Sequence, residues 1–206
     1  MSEVPTYYGE AINVSRVFIA PVESDAGNTY KVGTPYMLAP VATLAKETST
    51  STKTRYYSGE PLYVDTSEGD TTVTAVVPGM TVKTRAELLG KSYDTEKGMM
   101  YDAGSPGEKY YALGYMVEHA GGFEEYVWLL KGKFSVPREE TETKTENINE
   151  KTLSVTFTAI VTETQFQLEN GKKGGCKAVY ADTADEKFTT KESWFDAVVT
   201  PPPVAA

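Results

Sequence analysis

Cysteine occurs once in this chain, at Cys176, and histidine once, at His119. One cysteine excludes an intramolecular disulfide and with it the stapled architecture of small secreted domains, so a reducing compartment is expected. One histidine leaves a His-based triad or an imidazole metal site resting on His119 alone, and an isolated histidine at a strand end reads as structural or solvated. No local signature around Gly174-Gly175-Cys176 resembles a cysteine hydrolase, so Cys176 reads as a small buried side chain. A basic surplus is missing too. Against 29 Asp and Glu stand 20 Lys and Arg, a formal charge of -9, and a protein that grips phosphates needs the opposite balance to displace counterions. No stretch approaches the length of a membrane span, and Met1-Ser2-Glu3-Val4-Pro5 has neither the basic start nor the apolar run of a signal peptide. The protein is expected to be made in the cytoplasm.

What is present is a mostly β pattern. The 206 residues, 40% of them hydrophobic, fit one all-β domain. Thr, Tyr and Val are plentiful, and long helical-period runs are missing. Ile12 to Val22 alternates, with Val17 and Ile19 on one side and Arg16 and Phe18 on the other, before Asp25-Ala26-Gly27-Asn28 turns it. Tyr36 to Ala45 reads as a doubly buried strand with an edge or bulge at Pro40. Lys46 to Ser58 is polar, Ser/Thr-rich and closed by Arg55-Tyr56-Tyr57, a long loop or protruding hairpin. Leu62 to Asp65 and Thr71 to Val77 predict a strand pair around the acidic turn Glu68-Gly69-Asp70. Thr84 and Glu87 suggest a capping box opening a short helix that Gly90 ends, with Leu88 and Leu89 inward.

The runs Tyr110 to His119 and Phe123 to Phe134, joined by Ala120-Gly121-Gly122, predict a hairpin with a protruding tip. Arg138 to Lys151 is charged and lacks core residues. Leu153, Val155, Phe157, Ala159 and Val161 then alternate cleanly, one face packed and a Thr/Ser-rich face exposed. A strand at Cys176 to Tyr180, a short element around Trp194-Phe195 and a free Pro-rich tail over 201–206 complete the reading.

The residues nominate no catalytic group, cofactor or metal ligand. Asp65, Glu68 and Asp70 lack the spacing of an EF-hand loop. Glu124 and Glu125 are adjacent on a strand and point to opposite faces, so they cannot flank one glycosidic bond. The chemistry-free polar segments are instead candidate assembly surfaces: Lys46, Arg55, Tyr56 and Tyr57 in the first, and Arg138, Glu139, Glu140, Glu142, Lys144, Glu146 and Asn147 in the second. The Thr/Glu alternation of 141–146 suits pairing against a neighbouring subunit's open edge.

A resemblance rests on an ordered set of modest motifs: Leu88-Leu89-Gly90, Tyr101-Asp102-Ala103-Gly104, Tyr111-Ala112-Leu113-Gly114-Tyr115, the run Tyr126 to Phe134, and 144–150 ahead of the Leu153 to Ile160 strand. Their order and spacing resemble the major tail proteins of siphophages that infect Gram-positive bacteria, over about residues 5 to 200. The resemblance implies a β-sandwich or partial barrel of tail-tube type with one short flanking helix and long polar loops. It implies a non-enzymatic virion protein, homo-oligomeric in hexameric rings that stack into a tail tube conducting DNA during ejection. The implied partners are other tail proteins (tape measure, tail terminator, distal tail protein), with DNA passing through the lumen unbound and no membrane involved. An acidic lumen would repel the DNA backbone. Some relatives add an immunoglobulin-like domain; here one tail-tube domain over 1–200 is expected. Two rival readings stand beside it: a carbohydrate-binding or adhesin-like β-sandwich in which Tyr56, Tyr57 and Trp128 stack on sugars, and, more weakly, a hydrolase of unrecognised type, which needs a pocket with perturbed titratable groups.

Overall fold

The computed structural model of the protein describes residues 8–104, 107–137 and 152–204. It is mostly β, with one large antiparallel sheet and one short α-helix. The strands are β1 (Ala11–Ala26), β2 (Thr29–Val32), β3 (Tyr36–Ala39), β4 (Thr43–Tyr57), β5 (Glu60–Val77), β6 (Ser92–Asp94), β7 (Met99–Tyr101), β8 (Tyr110–His119), β9 (Glu124–Phe134), β10 (Leu153–Ile160), β11 (Phe166–Gln167), β12 (Lys173–Gly174) and β13 (Ala178–Asp182). Helix α1 spans Val82–Leu88. The main sheet runs β2-β1-β8-β9-β10-β5-β4, with β3 also on β1 and β13 also on β9.

The centre of this sheet is β8 and β9, and their near-continuous apolar sequence follows from burial on both faces. Tyr111, Leu113, Tyr115, Val127 and Leu129 enter one core with Val17, Ile19, Val73, Phe157 and Leu88. The alternate residues Ala112, Tyr126, Trp128 and Leu130 enter a second, with Ala20, Phe166 and Trp194. Leu44 of β4, at one end of the strand order, and Tyr36 of β3, at the other, both pack on the first core. The sheet therefore curls, in the manner of a sandwich or partial barrel. Helix α1 closes the first core with Ala86 and Leu88, and Tyr111 Oη donates to the Glu87 carbonyl oxygen at 2.6 Å.

The second core is the convex face of the sheet, covered by the C-terminal segment. Phe195 stacks on Phe18 with centroids 4.5 Å apart, and Trp128 Nε1 donates to the Trp194 carbonyl oxygen at 3.0 Å. Gly114 lies opposite Trp128 in the register, where an added Cβ would stand 2.8 Å from the indole ring. The strand pair thus demands glycine at that position, because the ring occupies the space a side chain would take.

β9 shares one long edge between two partners. β13 pairs with Glu125 to Leu129, and β10 pairs with Lys131 to Phe134. At the seam, Lys131 is buried and its Nζ donates to Asp25 Oδ2 at 2.6 Å and Glu163 Oε1 at 3.0 Å. Asp25 also accepts from the amides of Glu163 and Thr164, each at 2.9 Å. Burial pushes the Asp25 carboxyl up, but these donors together outweigh it and hold the group below the ordinary carboxylate range.

Several expectations need correction. Tyr36 to Ala45 is not one strand: it breaks at Pro40, which cannot donate to a ladder, and β4 starts at Thr43. Glu68-Gly69-Asp70 is no turn. β5 continues through it on β4, and the extra residue is absorbed as a bulge between Thr48 opposite Thr71 and Thr50 opposite Glu68. The helix N-cap is Thr81, whose Oγ1 accepts from the Thr84 amide at 3.2 Å, so the cap falls three residues before Thr84. The β8–β9 tip does not stand clear: the Ala120 amide donates to the Glu10 carbonyl oxygen at 2.9 Å, bringing the segment just before β1 alongside. The outer residues of β10 are half-buried rather than exposed. The final strand is shifted to Ala178–Asp182. Residues 201–204, expected to trail away, lie against the domain, with the Gln167 amide donating to Pro202 O at 2.8 Å.

Candidate assembly surface

From Thr71 to Val77 the residues of β5 alternate between buried and half-buried, as a strand on a core should. From Glu60 to Asp70 every residue is exposed. The outer part of β4 follows it, paired among the described residues with β5 alone. The two strands form an arm of roughly 33 Å, taking about 3.3 Å per residue over Glu60 to Asp70. The arm closes in a two-residue turn, Ser58 (φ 53) and Gly59 (φ 86). Positive φ at both positions is the hairpin geometry whose twist matches the flanking strands.

Alternation along the arm separates its chemistry. Thr50, Thr52 and Thr54 share one face, and Thr52 Oγ1 lies 3.4 Å from Thr66 Oγ1 across the strands. Lys53 and Arg55 share the other, where Arg55 pairs with Asp65 at 2.6 Å. Tyr57 meets Tyr63 edge to face at 6.2 Å between centroids. Toward the tip Tyr56, Tyr57, Leu62, Tyr63 and Val64 are all more than half exposed. An isolated two-stranded ribbon is marginal in water, and a bare apolar tip of this kind marks a surface that another surface covers.

The arm root is anchored. Lys177 Nζ donates to the Gly69 carbonyl oxygen at 3.0 Å and lies 3.9 Å from Glu68. Lys46 Nζ sits 4.6 Å above the Tyr180 ring. Beside the root is a cleft of about 410 Å³, lined by Ala11, Ile12, Val14, Leu44, Tyr115 and Val117 together with Lys46 and Glu125. Two strand edges flank it. Among the described residues β4 ends the strand order, and β1 before Val17 pairs only with β8. Among the described residues both therefore offer unpaired backbone donors and acceptors.

Of the residues expected to form assembly segments, Arg55, Tyr56 and Tyr57 gather on the outer arm, and Lys46 lies at its root. Arg138, Glu139, Glu140, Glu142, Lys144, Glu146 and Asn147 lie outside the described residues. The tip residues Leu62, Tyr63 and Val64 were missed; the signal was an apolar triplet four residues past the end of a Thr-rich strand, beyond Ser58-Gly59-Glu60-Pro61. Trp128, expected as a sugar-stacking aromatic, is fully buried and cannot serve. Glu124 accepts from Tyr126 Oη at 2.8 Å while Glu125 lies 3.6 Å from His119 Nε2. Cys176 is half-buried, and burial pushes its thiol up, away from the thiolate. Among the described residues no group of three or more His, Cys, Asp or Glu is placed to hold a metal ion, and no helix is long and apolar enough to cross a membrane.

Neither a protein-family model nor a curated protein matches the chain. The surfaces just described carry the functional reading.

Proposed function

We propose that the protein is a structural subunit that assembles with copies of itself into rings, and that the rings stack into the tail tube of a long-tailed bacteriophage. The observation that carries this reading is the arm. Among the described residues nothing covers the apolar end of this ribbon of roughly 33 Å, and an interface supplies the missing burial. The two unpaired edges add backbone groups that a neighbour's strands satisfy. Repetition of a head-to-tail contact closes into rings when the rotation allows it. The acidic balance suits a conduit whose wall does not hold DNA, since like charge repels the phosphate backbone.

Negative-stain electron microscopy of the purified protein over a concentration series, at low and high salt, tests the reading. Rings or hollow tubes are expected without added ligand. Monomers at every concentration and both salts would overturn it.

A further inference from the structure

We propose that the cavity beside the end of α1 binds a small phosphate monoester, its dianionic head on lysines and its organic body on an apolar wall. The cavity holds about 300 Å³, at the lower end of the range for small-molecule sites. Lys91, Lys109 and Lys133 line one part of it, and Leu88, Leu89, Phe134 and Val136 another. Among the described residues that line it, none is an aspartate or a glutamate. In a chain of formal charge -9, this local reversal of sign is the observation that carries the proposal.

The fold leaves these lysines short of counter-ions. Among the described residues one carboxylate pairs with the three of them: Asp102, which accepts from Lys91, a side chain only 7% exposed. Lys133 Nζ meets the Gly107 carbonyl oxygen at 3.4 Å and lies 4.5 Å from the centre of the Tyr110 ring, and neither is an anion. Lys109 is exposed and, among the described residues, pairs with no carboxylate. Lysines after a helix often serve its last carbonyls. Here the carbonyls of Arg85, Ala86, Glu87 and Leu89 already accept from the amides of Leu89, Lys91, Gly90 and Gly107. Three ammonium groups against one carboxylate leave two positive charges, which a phosphate monoester matches above its second ionisation at about pH 6.

The cations are positioned before any ligand arrives, which spares the cost of ordering them. The Gly107 amide donates to the Leu89 carbonyl oxygen at 3.0 Å, and a Cβ on Gly107 would stand 2.4 Å from the Gly90 Cα. The two backbones touch, and Lys91 and Lys109 follow them within two residues. Lys133 is fixed by the ladder, opposite Thr158 of β10. Val136 at the rim is 71% exposed and gives an organic body an apolar surface to cover. A DNA backbone, with one charge per phosphate, offers the site half the charge it lacks.

Isothermal titration calorimetry of the full chain with phenyl phosphate as the probe tests the assignment. One molecule binds per chain, whereas phenol, which lacks the head, does not bind. A single-stranded oligonucleotide without terminal phosphates, which offers diesters alone, does not compete. Lys109→Gln and Lys133→Gln each weaken binding by about tenfold or more, the size of one hydrogen bond to a charged group. Lys172→Gln, at an exposed lysine outside the cavity, leaves binding unchanged. Should Lys133→Gln lose the wild-type melting curve, Lys109→Glu replaces it and abolishes binding from an exposed position. No binding of phenyl phosphate up to about 10 mM, binding that the Lys109 variants leave intact, or competition by the oligonucleotide would overturn the proposal. The readout is per chain, so none of these results bears on the assembly reading.

Discussion

Replacing Asp25 with asparagine keeps the shape of the side chain and removes the charge from a buried clasp. Asp25 and Lys131 have side chains that are 3% and 6% exposed, and they meet at 2.6 Å. Breaking a buried pair by removing one partner costs about 3–5 kcal/mol, because the other charge is left uncompensated. Here Lys131 keeps Glu163 at 3.0 Å, and that carboxylate is mostly exposed. The remaining partner puts the expected loss at the lower end, about 3 kcal/mol. In a domain of this size that lowers the melting temperature by roughly 6–12 °C. Urea unfolding followed by tryptophan fluorescence reads the change directly, since Trp128 and Trp194 are both buried. Lys131→Met combined with Asp25→Asn should cost less than the sum of the two single changes. A loss under about 0.5 kcal/mol for Asp25→Asn, the range of ordinary surface changes, would refute the assignment of the clasp as a stabilising element.

Three further outcomes follow from the same structure. The Asp25 carboxyl is held below its ordinary value, so its contribution is fully present above about pH 4, the unfolded value, and is lost as pH falls through the folded value. Acid titration of stability should accordingly be flatter in Asp25→Asn than in the wild type. Gly114→Ala places a methyl 2.8 Å from the Trp128 ring and should cost about 1–3 kcal/mol by overpacking, measured by urea unfolding. Ser58→Asn puts a residue that tolerates positive φ at a turn position whose φ is 53, and should slow hydrogen exchange in the outer arm without moving the global melting temperature by more than a degree or so.

The legible part of the sequence was whatever a local pattern records. Leu153 to Ile160 alternates because one face is packed, and the structure shows that face buried at Leu153, Val155, Phe157 and Ala159. The Tyr110 to Phe134 hairpin was legible because a glycine turn lies between two long β-type runs. Glu68-Gly69-Asp70 misled because its turn chemistry is local, whereas the ladder that straightens it comes from β4, some twenty residues earlier. The helix start misled because Thr81 and Thr84 are both competent caps; Thr81 takes the role, with its hydroxyl 2.9 Å from that of Thr84. The clasp was hidden because Asp25 and Glu163 lie 138 residues apart. Its one local sign was a lysine, Lys131, directly after the apolar run from Tyr126 to Leu130.

The bulge opposite Ser49 keeps β5 a single strand from the arm tip to the floor of the core, and this sets how the molecule carries load. A pull along the arm is not met at a flexible joint. It passes down β5 into the unbroken register with β10, from Thr71 opposite Ala159 to Val77 opposite Leu153, and from β10 into β9. Force applied along the strand direction loads those hydrogen bonds together, in shear, and does not open them one rung at a time. The arm is in mechanical terms a tie-rod that ends in the core-packed ladder of β5 and β10.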